Sequence, residues 1–276
     1  MDEQIIALYC LCDDLLQALH HPDDAQRQMT DAEVMTTAYV AMLYCGGNFE
    51  RARHLLQTYG YMPTMLSRSR YNRRLHQIPD LFVALFARLG QRWKTLNSES
   101  IYIIDSFPIA ACDNYRIPRA RLYRHKAFRG AQASKKRYFY GLKLHLLITK
   151  DGHPVEFFLT PGSFADVTAL STFTFDLPAG VVIYGDRAYN AYTMEDLLQE
   201  AAQIQLLPLR KKGSTRPLPP SLQFLQHYYR KRIETVGSSL ERLLPKSLHA
   251  VTARGFELKV ALFVIAYSVH CGLSFS

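Results

Sequence analysis

Apolar residues recur at helical spacing through the first hundred positions and at strand spacing after them. "DEQIIALYCLCDDLLQAL" predicts a helix that ends before His21-Pro22. Thr30 followed by Glu33 is a capping-box signature opening "DAEVMTTAYVAMLY". Gly46-Gly47 closes that helix, and Asn48 is placed to cap the next, through about Tyr59. "PTMLSRSRYNRRLHQI", with Pro63 near its start, and "PDLFVALFARLGQRW" supply two more helices. After Asn97 the pattern changes. "IYIIDSF" reads as a strand, and "RYFYGLKLHLLIT" and "HPVEFFLTP" form a hairpin across Asp151-Gly152. "FADVTALSTF" is a short helix or turn, "GVVIYGD" a strand, "TMEDLLQEAA" a helix with Thr193 available as cap, and "IQLLPL" a strand. "PPSLQFLQHYYRKRIETVGSSLERLL" is a helix with a weak point at Gly237, and "FELKVALFVIAYSVHCGL" is the last helix.

Three strands followed by helix, strand, helix, strand and helix predict an α/β mixed sheet flanked by helices, behind an all-helical N-terminal region. A ribonuclease-H-like core has this order, which is a resemblance. The expected organisation is a helical domain over 1–97 and a sheet domain over 98–276, with a basic insert at 108–137.

A chain of 276 residues with 48% hydrophobic and 21% charged residues is ordinary for a globular protein, but a net charge of +9 points to a polyanionic partner. The charge is unevenly placed. Met1 to Gly60 holds nine acidic and three basic residues, whereas Pro108 to Lys150 holds eleven basic residues and one acid, Asp113. "RIPRARLYRHKAFRGAQASKKRYFYG" interleaves Arg121, Arg124, Lys126, Lys135, Lys136 and Arg137 with tyrosine and phenylalanine, a mixture that suits phosphate contact and base stacking. Arg210, Lys211, Lys212 and Arg216 form a further cluster. Arg68, Arg70, Arg73 and Arg74 lie on a short helix that either reads DNA in a helix-turn-helix manner or belongs to a plain support domain. Arg73 and Arg74, being adjacent, do not share one face.

Five cysteines without a CxxC pair encode neither a disulfide scaffold nor a local zinc site, and free thiols fit a reducing compartment. The acidic start lacks a signal peptide's basic region. The ten-residue apolar run from Val260 to Val269 is too short to span a bilayer and reads as a core helix, so no membrane is expected and the cytoplasm is the default.

Asp105 ends the first strand of this reading and Asp186 the fourth, while Glu234 lies on the helix after the last strand. Neighbouring strand ends can place two carboxylates side by side, and a glutamate from a packed helix can complete the cluster. Such hard oxygen donors suit Mg²⁺ or Mn²⁺, and two such ions can activate an attacking oxygen and stabilise a departing one in phosphodiester chemistry. Each acid also has a duller reading: a turn cap for Asp105, a partner of Arg187 for Asp186, ordinary helix solvation for Glu234. Asp166 either caps a helix or approaches the site. Glu195 and Asp196 look structural, and His145 reads as a hydrogen-bonded core histidine. No HExxH, GxSxG or phosphate-loop motif occurs.

"SRSRYNRRLH", "IDSFPIAAC", "YFYGLKLHLLIT", "TPGSFADV", "YGDRAYNAY" and "RKRIETVGSSL", in this order over nearly the full length, resemble bacterial insertion-sequence DDE transposases, most closely the IS982-like family. The resemblance implies an acidic triad at Asp105, Asp186 and Glu234, with Arg230 and Arg232 as phosphate-contacting neighbours. It implies Mg²⁺, with Mn²⁺ substituting, as cofactor. Double-stranded DNA, as terminal inverted repeats and target, is the implied partner, together with a homo-oligomeric active complex on the nucleoid. Members cut element ends and join the freed 3′ ends to target DNA. The alternatives are a standalone Mg²⁺-dependent nuclease and a catalytically impaired DNA-binding remnant. Gly237 departs from the family's pattern, which has an aromatic, typically phenylalanine, at that place. The departure puts helix rigidity after Glu234 in question.

Overall fold

The computed structural model describes residues 2–22, 26–132, 137–245 and 248–273, so Lys135 and Lys136 lie outside the described residues. Two compact units emerge. One comprises Met1–Leu89 with Leu240–Ser276, the other Gly90–Ser239.

The first unit is helical. It contains α1 (Asp2–Ala18), α2 (Asp31–Tyr44), α3 (Phe49–Thr58), α4 (Arg68–Leu75), the first part of α5 (Pro79–Leu96) and, from the chain's other end, the long last helix at Ala253–Leu273. α1 turns Ile5, Leu8, Cys12, Leu15 and Leu16 inward, an i, i+3, i+7 stripe. α2 is buried on nearly every side. Its start is a complete capping box: Thr30 Oγ1 accepts from the Glu33 amide at 3.2 Å, and Glu33 Oε2 accepts from the Thr30 amide at 2.7 Å. Asn48 caps α3 by accepting from the Arg51 amide at 3.1 Å. Pro63 to Leu66 stay outside α4, which begins after Ser67.

The second unit is a six-stranded mixed sheet with helices. Its strands are β1 (Ile101–Asp113), β2 (Arg129–Gln132), β3 (Arg137–Thr149), β4 (Pro154–Pro161), β5 (Val182–Gly185) and β6 (Gln205–Pro208). Their order is β2-β3-β1-β5-β6, with β4 also paired to β3. β1 is antiparallel to β3 and parallel to β5, and β5 is parallel to β6. Helices α6 (Asp166–Leu170), α7 (Tyr192–Ala202) and α8 (Pro220–Leu243) intervene in the expected places, and α9 (Ala253–Leu273) follows. This mixed α/β sheet with flanking helices and a helical N-terminal region is consistent with a ribonuclease-H-like fold. The hairpin turns through Asp151-Gly152, where Gly152 has φ +96°, a conformation glycine adopts without strain.

Four local expectations change. β1 overruns "IYIIDSF" by six residues, because β3 remains available as an antiparallel partner as far as Asp113. Pro108 is tolerated there because β5 has already ended, leaving one edge of β1 without a strand neighbour. A short strand, β2, lies within the basic insert. α7 starts at Tyr192 with Ala191 in the cap position, so Thr193 falls inside its first turn. α9 is 21 residues long, enough by length and composition to cross a membrane, yet half of its most apolar stretch is buried. Val260, Leu262, Phe263 and Val264 are all 1% exposed or less, as a core helix requires.

Candidate active site

The parallel register of β1 and β5 runs from Ile101↔Val182 to Ile104↔Gly185. The next residue on each strand is an acid, Asp105 and Asp186. Asp105 therefore does not end a strand. It sits where β1 loses its parallel neighbour, and Asp186 is the residue at which that neighbour stops.

Each carboxylate is anchored by a local amide. Asp105 Oδ1 accepts from the Ser106 amide at 2.8 Å. Asp186 Oδ1 accepts from the Ala188 amide at 2.6 Å, capping the 3-10 turn at Arg187–Tyr189. Both lie on the wall of a recess of about 10 Å³, with Arg230 opposite and Ile104, Gly185 and Ile233 around them. That volume is of the order of one water-sized body. Burial pushes the Asp105 carboxyl up to about 7, against which the Ser106 amide pulls down; Asp186 and Asp166 push further up, and Arg230 pulls down. Asp186 is raised for the same leading reason, burial, with Asp166 adding to it and Arg230 and Lys143 opposing.

Beneath the pair lies a polar layer supplied by β3 and the 3-10 turn. His145, fully buried, is 3.0 Å from Thr160 Oγ1 and 3.3 Å from the Tyr189 hydroxyl, and stacks on Phe158 with centroids 4.6 Å apart. Burial lowers its pKa to about 4, which makes it a neutral core histidine at pH 7. With Ala165 in the cap position, Asp166 is the first residue of α6. It pairs with Lys143 at 3.0 Å and lies 4.0 Å from His145 Nδ1. Lys143 also donates to the Phe164 carbonyl at 2.8 Å. Lys143 and Tyr189 are members of this layer that no motif singles out. A signal existed for the first: Lys143 and His145 are two apart, on one face of β3, interrupting an apolar run.

Glu234 stands apart from this group. It is 56% exposed, and Arg230, one helical turn before it, donates Nε–H to its Oε1 at 2.8 Å. Among the described residues no three His, Cys, Asp or Glu side chains converge closely enough to hold a metal ion between them. Asp105 and Asp186 nevertheless offer two half-buried hard oxygen donors, raised by burial and by their acidic neighbours, with Arg230 a compensating charge to both. That chemistry fits a divalent cation such as Mg²⁺.

The basic candidates divide by environment. Arg68, Arg70 and Arg73 are exposed, whereas Arg74 is drawn to buried Asp31, which also takes Arg27 and His21 at 2.8 Å each. Arg121, Arg124, Lys126, Arg137 and Arg232 are exposed, and Arg129 lies 4.4 Å over the Tyr138 ring. Two arginines of the cluster near residue 210 are held by α7. Arg210 makes a bidentate pair with Glu195 at 2.7 and 2.6 Å, and Arg216 does the same with Asp196 at 2.6 and 2.9 Å. Glu195 and Asp196 are thus structural, as the sequence implied.

Residues 95–246 match the family model described as "Transposase DDE domain". No curated protein and no solved structure matches the chain.

Proposed function

This chain belongs to the DDE transposase domain family, and from that premise we propose that it cuts DNA at the ends of an insertion element and joins the freed 3′ ends to target DNA. The quoted motifs support the IS982-like branch and a bacterial source. The observation that carries the reading is the β1–β5 register, in which Ile104↔Gly185 is the last pair before Asp105 and Asp186.

Asp105 and Asp186 would hold the divalent ion, Mg²⁺ with Mn²⁺ able to substitute. When bound, it supplies activation of the attacking oxygen and charge stabilisation of the leaving one. The protein's own part is to hold the two carboxylates still on paired strands, each fixed by one backbone amide. Arg230 supplies positive charge beside them for the scissile phosphate. Glu234 is the third acid of the proposed triad. Its tie to Arg230 is an exposed i,i+4 pair worth about 0.3–0.5 kcal/mol, so little opposes its release to serve the site. The basic segment with Arg121, Arg124, Lys126 and Arg137, the undescribed Lys135 and Lys136, and Arg232 on α8 would track the DNA backbone. Arg68, Arg70 and Arg73 of the helical region would read the terminal repeats. Arg74 belongs to the same set by sequence, but its bond to Asp31 favours an internal tie. The domain plan is a helical recognition or scaffold region over 1–97 before a catalytic region over 98–276, acting as a homo-oligomer on DNA in the cytoplasm.

The test is incubation of the purified protein with its element ends, Mg²⁺ and a plasmid target, scoring cleavage and joining separately. Cleavage and joining that vanish in Asp105→Asn support the proposal. Cleavage without joining indicates a standalone nuclease. Full activity in a folded Asp105→Asn protein defeats the assignment.

A further inference from the structure

The helical unit holds a cavity of about 1020 Å³, unrelated to the acidic pair and framed by the starts of three helices. Asn48, the cap of α3, with Phe49, Glu50, Arg51 and Arg53 of its first turns, Arg68 at the first position of α4, and Thr252 with Gly255 at the start of α9 all line it. A helix N-terminus carries a partial positive charge, and three of them around one space make it favourable to anions; Asn48 and Thr252 cap one amide each at α3 and α9, while Ser67 makes no side-chain cap bond at α4. The side chains add to this. Arg51 and Arg68 are exposed on the wall and have no acidic partner among the described residues. Lys259 reaches in from α9, donating to the His249 carbonyl at 2.6 Å while lying 5.2 Å over the Phe49 ring. Arg53, nine-tenths buried, closes the wall, and its Nε has no hydrogen-bond partner among the described residues. The acid among these lining groups, Glu50, is already neutralised by Arg53 at 2.5 Å.

We propose that this cavity is a binding groove for the phosphates of a DNA strand, supplied by Arg51, Arg68, Lys259 and the three helix starts. The inference rests on the DNA-processing reading above and assigns part of the substrate to a second surface. The size argues for a strand over a free ion or small metabolite. Small-molecule sites span about 300–1,000 Å³, so this cavity stands at their upper limit while a lone phosphate would leave it nearly empty. Guanidinium groups on separate elements suit the repeated, planar-fork contacts that a phosphodiester backbone offers. Burial lowers the pKa of half-buried Lys259, and an anion beside it would oppose that shift.

Cys45 lines the same cavity and Cys10 is exposed elsewhere, on α1, so the wild-type chain carries its own probe and control. Thiol alkylation of the full-length protein at pH 8 would be followed at both cysteines with duplex DNA, single-stranded DNA, inorganic phosphate or poly-glutamate. DNA binding would be measured in parallel by fluorescence anisotropy. The expected result is that DNA slows alkylation of Cys45 several-fold and leaves Cys10 unchanged. Inorganic phosphate at high concentration should reverse that protection. Replacing Arg51 and Arg68 together by alanine should remove protection and lower the slope of log K against log salt by about two; the paired Arg→Lys variants should keep both. DNA bound by anisotropy with Cys45 unprotected overturns the groove and leaves the DNA function standing. No DNA binding of any kind overturns both. Protection by poly-glutamate and not by DNA also overturns the groove, marking it as a docking site for acidic protein.

Discussion

The ring of Phe107 fills the space that a side chain at Gly237 would need: a Cβ built on Gly237 would lie 2.2 Å from Phe107 Cε1. Phe107, two residues past Asp105 on β1, thus packs its own ring against α8 at this place. α8 runs unbroken through Gly237. Alanine in place of a mid-helix glycine normally gains about 1 kcal/mol, but overpacking a filled site costs about 1–3 kcal/mol. Gly237→Ala should accordingly lower the melting temperature. In a Phe107→Leu background the same change should cost less, and strictly additive losses in thermal melts would refute the contact.

The acidic pair makes stability depend on pH with a definite sign. The Asp105 carboxyl is raised from 3.8 to about 7 in the fold, so its stabilising contribution is present below pH 4 and is lost as pH rises toward 7. Without divalent ions, Asp105→Asn should thus melt higher than wild type at pH 8 and close to it at pH 4. Mg²⁺ should raise the wild-type melting temperature more at pH 8 than at pH 5, with little effect on Asp105→Asn. Scanning calorimetry in chelator and in Mg²⁺ provides the measurement; an equal Mg²⁺ effect at both pH values would contradict the site.

Arg210 and Glu195 form a bidentate pair with side chains only 10% and 8% exposed. Removing one partner of such a pair leaves an uncompensated buried charge, a loss of about 3–5 kcal/mol. Arg210→Ala should therefore destabilise severely, whereas Arg210→Met with Glu195→Leu should restore most of the loss. Urea denaturation of the two variants decides it. If Arg210→Ala is neutral, the pair is a solvated surface contact.

The basic segment between β1 and β2 should behave as a backbone reader. Replacing Arg121, Arg124 and Lys126 together should weaken matched and scrambled DNA alike and reduce the slope of log K against log salt by about three. An unchanged slope in anisotropy titrations would reduce this run to a solvated face.

Much of this architecture was legible because the relevant signals are local. The Thr30–Glu33 box, the Asn48 cap and the Asp151-Gly152 hairpin each depend on residues within a few positions of one another, and each forms as read. Misreadings arose where a distant partner decides. Nothing within "IDSFPIAAC" announces that β3 will carry β1 on to Asp113, and nothing near Gly237 announces Phe107. Arg74 looked like its neighbours until Asp31, 43 positions away, claimed it. At the site, Asp105 and Asp186 were visible as interruptions of apolar runs. The Lys143–Asp166 pair was not, since it depends on β3 lying beside β1 and on α6 folding back against the Arg187–Tyr189 turn.

The separation of the helical unit into two chain segments bears on fragments. α9 packs against α2 and α1, and its Phe256, Leu262 and Phe263 are fully buried. A protein of Ser98–Ser276 would expose that face, so it should aggregate or bind a hydrophobic dye strongly. Gly90–Ser239 should stay monodisperse in size-exclusion chromatography. The reverse ranking would show that α9 needs no helical partner.

The same separation sets an order of events on the ribosome. α1 to α4 emerge first but lack the helix that completes their core, and the whole of Gly90–Ser239 must be made before that helix appears. At about 5–20 residues per second this interval lasts roughly 10–30 s. During it the apolar faces of α1 and α2 stay uncovered, which makes them candidates for chaperone capture. The helical unit can therefore close only after α9 has left the ribosome. A product truncated before α9 thus lacks the Thr252, Gly255 and Lys259 side of the surface proposed to grip DNA, whatever the state of its acids.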